Sequence, residues 1–331
     1  MNHLFIINPK AGKGKTLDYV DIIKNYFSGN NEKYIIEITK YPGHATKLVR
    51  EYVSHDKYRV YAIGGDGTVN EVVNGLIGSN SILAVIPAGC GNDFFKSIQE
   101  ISNDKDNYLS FNITEKSSKK DILDHMIKGI ESQIDICKIN EKYFANIASV
   151  GFDAEVTYKS NKIKNIPFIS GLLAYSLSIF TMLFTYTWHP LKINIDDGNT
   201  VFTIEKNALL VAVANGKYYG GGMQPAPLAK IDDGFLDVCL IDYVGRLKIL
   251  RFFPKFLKGK HGEIKEVSFQ RCKKLSIYSK NNIAINIDGE AGITNGEINF
   301  EIIPSALKIV LPLQEIYTAP CKDSNKIPFL P

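Results

Sequence analysis

The chain has 331 residues, 45% of them apolar and 22% charged, which is typical of a globular protein long enough for two domains. Its net charge of +4 is too small to indicate a nucleic-acid partner. The five cysteines are dispersed without Cys-x-x-Cys spacing, which supports neither a disulfide framework nor a zinc site and fits a reducing cytoplasm. Residues 1–7 lack the basic and long apolar regions of a signal peptide and are predicted to form a strand.

The first half alternates short apolar runs with segments of helical periodicity, which predicts a parallel α/β domain over residues 1–131. Strands are predicted at 4–7, 34–39, 58–63 and 82–86, and helices at 17–27, 43–52, from 69 onward, and 121–130. Glycine-containing turns follow Ile7, Ile63 and Ile86. Ligands bind at the carboxyl ends of such strands, so these three turns are expected to converge on one edge of the sheet.

The most specific stretch is Gly64-Gly65-Asp66-Gly67-Thr68, between a strand and a helix. Its glycines permit a tight turn, and the free N–H groups and dipole of the following helix suit a phosphate. An acid beside phosphates requires either a cation between them or a role as proton acceptor, so Asp66 is a candidate for both. The alternative is an ordinary strand-to-helix connection with Asp66 as a turn residue or helix cap.

The first turn ends in Gly14-Lys15-Thr16, which is similar to the end of a Walker A loop. Pro9 stands where that motif requires its first glycine, so the P-loop interpretation fails on spacing. The stretch is still a basic, glycine-containing turn. It could contact a phosphate, or it could be a lysine-rich turn exposed to solvent.

From about residue 134 short alternating strands predominate, which predicts a mostly antiparallel β-sandwich or barrel over residues 132–310. The predicted strands are 133–139, 143–150, 191–195, 201–205, 208–214, 236–241, 274–279, 283–287 and 297–303. Residues 311–331 form a tail that could pack back on the first domain. No flexible linker separates the halves, so we expect two packed domains with a cleft between them.

Motifs along most of the chain resemble those of the diacylglycerol kinase catalytic domain family, which includes soluble bacterial lipid kinases and the sphingosine and ceramide kinases. They are Asn8-Pro9 with Gly12; Gly64–Thr68 with Asn70, Glu71, Asn74 and Gly75; Pro87, Gly89 and Gly91–Phe94; Gly151–Ala154; Asn215-Gly216, Gly220–Met223 and Asp232–Asp237; and Asp288–Glu290. The Gly-Gly-Asp-Gly-Thr core is shared with NAD kinases and phosphofructokinases, but the second-half motifs favour lipid kinases. Two departures are Cys90, where the family usually has threonine, and Phe95-Lys96, where it usually has Ala-Arg.

The resemblance implies a phosphofructokinase- and NAD-kinase-like α/β domain, a β-sandwich, and an active site in the cleft between them. It implies that ATP contacts Asn8, Pro9, Lys10, Ala11, Gly12, Thr39, Gly64, Gly65, Asp66, Gly67, Thr68, Asn70, Glu71, Gly89, Cys90 and Asn92. It also implies Mg²⁺ as cofactor, with a structural ion around Lys230, Asp233 and Phe235.

Asp288 and Glu290 are two residues apart at a strand end, so both side chains can face the same side of the strand. One could act as base while the other orients a cation, and the resemblance favours Glu290 as base with Asp66 as a competing candidate. The alternative is an ordinary polar hairpin turn.

Residues 166–188 are uncharged and long enough to span a membrane. Spanning is not expected, because it would place the two halves of one fold on opposite sides of the bilayer. The stretch could instead be a buried core helix or a helix beside a lipid entrance. Lysines 159, 162 and 164 and the basic-apolar run 246–258 could contact an anionic membrane, or could simply be solvated.

The resemblance implies an ATP-dependent lipid kinase in the cytoplasm, associated peripherally with the membrane, which converts diacylglycerol to phosphatidic acid. An edge strand of the second domain could also pair with a second copy to form a homodimer. Two alternatives stay open: a kinase of a soluble metabolite such as NAD, and a non-catalytic nucleotide-binding regulator at the membrane, which Cys90 would favour.

Overall fold

The computed structural model describes residues 1–29, 31–105, 117–163, 178, 181–182, 185–186 and 188–312. In the first half, strands and helices alternate. The strands are β1 (Asn2–Ile7), β2 (Tyr34–Ile38), β3 (Tyr58–Gly64) and β4 (Ile82–Pro87). The helices are α1 (Tyr19–Phe27), which follows a 3-10 segment at Ala11–Asp18, α2 (His44–Val53), α3 (Asp66–Leu76), α4 (Asp93–Lys105) and α5 (Lys119–Lys128).

The four strands form a parallel sheet in the order β2-β1-β3-β4. Successive residues of β1 point to opposite faces: Leu4 and Ile6 pack against α2, α3 and α4, whereas Phe5 and Ile7 pack against α1 and α5. Both faces are therefore covered by helices, which explains why these strands are continuous apolar runs. The predicted parallel α/β domain is confirmed.

The second half is built mainly from antiparallel strands. These are β5 (Ile130–Ile139), β6 (Lys142–Phe144), β7 (Ile147–Gly151), β8 (His189–Asp196), β9 (Val201–Ala214), β10 (Leu236–Asp242), β11 (Val267–Cys272), β12 (Lys274–Ile287) and β13 (Glu290–Leu311). Helices α6 (Phe152–Ile163) and α7 (Arg246–Leu257) lie between strands. Strands β9 and β12 each pair with both β7 and β8 around an apolar core, as the predicted β-rich second half requires.

Several strands differ in length from the sequence prediction. The predicted pairs 201–205 with 208–214, and 274–279 with 283–287, are single strands β9 and β12. The register of β12 shifts between Ser279 and Ile283, so a polar irregularity interrupts the alternation without ending the strand. The predicted strand 143–150 is divided into β6 and β7, and β11 was not predicted.

Strands β5 and β13 run continuously through both halves. Residues 300–303 of β13 pair with residues 136–139 of β5, and residues 307–311 pair with residues 130–134. Near its end β13 also pairs in parallel with β4, at Lys308 and Ile309. The division at 131/132, which stays a prediction, thus falls inside β5. Of the predicted tail, residues 313–331 lie outside the described part of the chain.

Most of the stretch 166–188, for which a core helix or a helix beside a lipid entrance is predicted, also lies outside the described residues. Two of its described side chains, Met182 and Tyr186, are buried against β9 and β10. In the part of the chain that the structure describes, no helix combines the length and apolar character needed to cross a bilayer.

Candidate functional site

The three glycine-containing turns meet at the carboxyl ends of β1, β3 and β4. The Asn8 amide donates to the Ile63 carbonyl over 3.0 Å, and the Ala88 amide donates to the Gly64 carbonyl over 2.8 Å. A Cβ at Gly89 would lie 2.5 Å from the Gly65 Cα, so only glycine permits this approach of the two turns. The structure therefore brings together the turns that the sequence predicted to converge.

In the first turn, the Asn8 side chain donates to the Thr68 hydroxyl over 2.9 Å and accepts from the Lys10 amide over 3.0 Å. After Pro9, Lys10 and Ala11, the backbone turns left-handed at Gly12, Lys13 and Gly14. A Cβ at Gly12 would lie 3.0 Å from the Ala88 carbonyl oxygen, so this turn fits closely against the third one.

Helix α3 begins at Asp66 with no side chain capping its first turn. Gly64, Gly65, Gly67 and the buried Thr68 thus surround a helix N-terminus whose backbone N–H groups and dipole suit an anion. The phosphate role of these residues stays a prediction.

The Asp66 carboxylate lies beside a second acid, Asp93, at the start of α4. If residue 91 carried a Cβ, that atom would lie 3.0 Å from Asp66 Oδ2 and 3.2 Å from Asp93 Oδ2. Both carboxylates therefore lie close to Gly91. The Phe94 amide donates to Asp66 Oδ1 over 3.1 Å. Burial raises the pKa of the Asp66 carboxyl to about 6, and the negative charge of Asp93 adds to the shift. A cation would relieve the repulsion between the two acids.

Asp93 was not predicted as a site residue. It is buried, and its Oδ1 pairs with the Lys96 ammonium at 2.9 Å. Its Oδ2 accepts the Gly221 amide over 2.7 Å, and Gly221 lies in the turn of three left-handed glycines, Gly220 to Gly222. Asp93 therefore connects the three glycine-containing turns, named the phosphate turns for their predicted role, to the second half of the molecule.

Asp288 makes the other connection between the halves. Its carboxylate accepts the Asn70 side-chain amide of α3 over 2.9 Å, and it accepts the backbone amides of residues 145–147 over 2.9 to 3.1 Å. Burial raises the pKa of Asp288, and these donors oppose the shift. With its carboxylate oxygens engaged in this way, Asp288 positions the hairpin that carries Glu290.

Glu290 is exposed at the start of β13, two residues beyond Asp288. Among the described residues, no hydrogen bond or ion pair is assigned to its carboxylate. Asp288, two residues before Glu290, is hydrogen-bonded to Asn70 of α3, and the Glu290 side chain is exposed to solvent.

Four residues that were predicted to contact ATP are Thr39, Glu71, Cys90 and Asn92, and the structure shows where each of them lies. Glu71 accepts the amides of Gly43 and Ala45 at the start of α2, so its carboxylate caps that helix. Asn92 exchanges hydrogen bonds with the Gly89 backbone and shapes the third turn. The Thr39 amide donates to Ile7, at the strand end beside the first turn, and Cys90 is exposed.

A groove of about 490 Å³ runs alongside the first and third turns. Its walls include Gly12, Cys90, Asn92 and three lysines, Lys15, Lys96 and Lys119. Lys119 also forms an ion pair with Asp18. A basic groove next to free helix N–H groups suits a polyphosphate.

An apolar pocket of about 70 Å³ lies in the second half. Ile249, Phe252, Phe253 and Phe256 of α7 form one wall. Tyr219 and Met223, on either side of the glycine turn that Asp93 holds, form part of another. The turn between these two pocket residues therefore contacts Asp93, at the start of α4.

The predicted structural-ion residues lie in one turn, but they fit a divalent cation poorly. Lys230 and Phe235 could offer only backbone carbonyls, and the Asp233 carboxylate forms an ion pair with Arg271, whose guanidinium lies 4.4 Å from the Phe235 ring centre. Asp135 organises this turn by accepting the Gly234 amide over 2.6 Å. Within the described residues, no group of three or more acidic, histidine or cysteine side chains could hold a metal ion. The ion stays a prediction.

Comparisons with known proteins agree with both halves of this architecture. The family model for the "Diacylglycerol kinase catalytic domain" matches residues 2–139, and that for the "YegS C-terminal NAD kinase beta sandwich-like domain" matches residues 146–311. A diacylglycerol kinase of Staphylococcus aureus is 32% identical over 254 residues, covering 76% of this chain and 73% of its own. The putative lipid kinase YtlR of Bacillus subtilis is 30% identical over 308 residues, covering 88% and 94%.

A crystal structure of a putative diacylglycerol kinase from Bacillus anthracis superposes with a TM-score of 0.66 at 25% identity, covering 94% of this chain and 97% of that one. The similarity thus extends over the phosphate turns, the hairpin of Glu290 and the β-rich half together. With matches across both halves and relatives that align over most of their length, the chain belongs to the diacylglycerol kinase family of lipid kinases.

Proposed function

We propose that this protein transfers the γ-phosphoryl group of ATP to the hydroxyl group of a lipid, with diacylglycerol as acceptor and phosphatidic acid as product. One observation carries the proposal most directly. The hydrogen bond between Asp288 and Asn70 holds the hairpin of Glu290 against the helix whose N-terminus faces the phosphate turns. The proposed proton acceptor and the proposed phosphate-binding element would thereby be held together across the two halves.

On the donor side, the N-terminus of α3 and the basic groove along the first and third turns would bind the phosphates of ATP. The Asp66 carboxylate and the phosphate oxygens suit Mg²⁺, which would travel with ATP and neutralise charge on the transferring group. Asp93 has its oxygens engaged by Gly221 and Lys96, so it acts as a positioning residue.

On the acceptor side, the apolar pocket beside the Gly220–Gly222 turn would contact the acyl chains. Its wall is almost wholly hydrocarbon, and the contact between Gly221 and Asp93 places its rim near the phosphate turns. An apolar acceptor pocket favours a lipid over a polar metabolite such as NAD.

In the reaction, Glu290 accepts the proton of the lipid hydroxyl as its oxygen attacks the γ-phosphorus. The bond from that phosphorus to the oxygen bridging to the β-phosphate breaks, and ADP leaves. Asp66 is the competing candidate for the base, but its place beside the phosphates suits cation binding better.

We expect Glu290→Gln to lower kcat by about 10²–10⁴-fold, the usual contribution of a general base, while ATP binding stays unchanged. The measurement is transfer of labelled phosphate from ATP to diacylglycerol in mixed micelles, together with titration calorimetry of ATP. Glu297→Gln is the matched control, since Glu297 is an exposed acid on the same strand.

Full activity of Glu290→Gln in the folded protein would contradict its role as base. The same assay on a mixed lipid extract, followed by identification of the labelled species, tests the acceptor. Phosphorylation of NAD in the absence of lipid, or ATP binding without any turnover, would reject the lipid-kinase proposal.

A further inference from the structure

Helix α7, Arg246–Leu257, has an unusual outer surface. None of its residues is buried, and three leucines on it are exposed to solvent: Leu247 by 84%, Leu250 by 52% and Leu257 by 39%. Leu247, Leu250 and Leu257 follow helical spacing together with Pro254, so the three leucines lie on one side of the helix. Exposed leucines concentrated on one helix face indicate an interaction surface.

The opposite side of α7 faces the apolar pocket. Ile249, Phe252, Phe253 and Phe256 line that pocket and are only partly exposed. Phe256 also contacts the His261 ring, with the ring centres 4.8 Å apart. The helix therefore separates the pocket from solvent and has apolar side chains on both faces.

The outer surface is also strongly basic. Between residues 246 and 260 the chain has six cations and no acid: Arg246, Lys248, Arg251, Lys255, Lys258 and Lys260. Lys248 pairs with Glu266, and Lys255 lies 3.6 Å from Glu263. Within the described structure, Arg246, Arg251 and Lys258 have no ion pair assigned to them. Their charge complements an anionic surface.

We propose that the outer face of α7 binds the surface of an anionic phospholipid bilayer. The leucines enter the boundary between headgroups and acyl chains while the arginines and lysines contact lipid phosphates, as in interfacial amphipathic helices. If the proposed function holds, on which this last step rests, the acceptor passes from the bilayer into the pocket beside α7 without crossing water.

The test is sedimentation of the full-length protein with vesicles, without ATP or diacylglycerol. We expect little binding to phosphatidylcholine vesicles and binding that rises steeply with the fraction of phosphatidylglycerol. Arg246→Gln with Arg251→Gln should lower the partition coefficient by about fivefold for each cation removed. Leu247→Asp with Leu250→Asp should lower it at least as much, because it removes the apolar insertion and adds negative charge.

Val201→Asp is the control, because Val201 is 72% exposed in β9, at a distance in sequence from α7. All variants change exposed side chains, and unchanged melting temperatures would show that they fold. Wild-type binding by both double variants would overturn the proposal. A second result would also overturn it: the leucine variant changes from dimer to monomer in light scattering while its vesicle binding is unchanged. The outer face of α7 would then bind a second copy of the chain and not a bilayer.

The kinase assay separates this proposal from the proposed function. On dioctanoylglycerol dispersed in detergent, both double variants should keep the wild-type kcat, because the surface they alter is needed only at a bilayer. A wild-type protein that binds anionic vesicles but phosphorylates no lipid would support docking and reject the lipid-kinase function.

Discussion

At the scale of single residues, the acids of this protein have distinct roles that follow from their contacts. Asp288 and Asp93 have their oxygens occupied by N–H donors or a lysine, so they position other groups. Asp66 has one oxygen engaged by an amide and the other near Asp93. Glu290 is exposed and available. An acid available for chemistry is distinguished from a positioning acid by whether its oxygens are engaged.

Buried Asp153 gives a prediction about pH. Burial raises the pKa of its carboxyl to about 6 from 3.8, so the folded protein binds this proton more tightly than the unfolded chain. The resulting stabilisation is complete below about pH 4 and is lost as the pH rises through 6. Asp153→Asn does not ionise. We therefore expect the variant's free energy of unfolding, relative to wild type, to increase by about 2–3 kcal/mol between pH 4 and 7.5.

Urea unfolding of both proteins at the two pH values measures this difference, and the comparison cancels the titration of other groups. The same relative stability at both pH values would show that Asp153 ionises with equal ease in the folded and unfolded states.

At the scale of elements, different parts of α3 make different contacts. Its N-terminus faces the phosphate turns, whereas Asn70 and Asn74, one and two turns later, bind the second half. Asn70 donates to Asp288, and Asn74 exchanges hydrogen bonds with the Tyr143 backbone. The spacing of these residues along one helix thus fixes the distance from the N-terminus of α3 to the hairpin.

We expect Asn70→Ala to lower kcat about tenfold or more with little change in ATP affinity, because Asp288 loses a donor and the hairpin of Glu290 loses its anchor on α3. Steady-state kinetics and calorimetry provide the measurements. Asn74→Ala is the matched control: it should lower stability by about 1–2 kcal/mol yet retain kcat. Weakened ATP binding with unchanged kcat would instead indicate that Asn70 contacts the nucleotide.

The sequence predicts most elements of the first half because β1, β3 and β4 are buried on both faces and read as continuous apolar runs. It predicts less of the second half, since β9 and β12 contain polar irregularities that interrupt the alternation. Among site residues, Asp93 was missed because its partner Gly221 is 128 residues away. Glu71 was predicted to bind ATP because it lies in the motif, but its side chain points to α2.

At the scale of the whole molecule, β5 and β13 make the two halves depend on each other. The side chains of Ile134, Ile136 and Leu307 pack in the core of the first half, whereas Cys137 and Ile302 pack in the core of the second. Asp135 lies between them and accepts the Ser305 amide at the irregularity of β13 over 2.8 Å. Unfolding one half therefore disrupts strands of the other.

We expect a fragment of residues 1–139 to aggregate or remain unfolded when expressed alone, because without β13 the buried strand β4 becomes an exposed edge. Co-expression with residues 140–331 should restore a soluble complex with the circular dichroism spectrum and melting temperature of the intact chain. A monomeric fragment that melts cooperatively by itself would contradict this interdependence.

The continuity of β5 and β13 also limits how the cleft can move. Two domains joined by a flexible linker can rotate about a hinge. Here the two hydrogen-bonded strands that run through both halves resist such opening and permit only slight twisting. Exchange of ADP for ATP, and departure of a bulky phosphorylated lipid, would then rely on local displacement of the glycine turns and α7. Turnover would then depend on motions of these turns and of α7 and not on separation of the two halves.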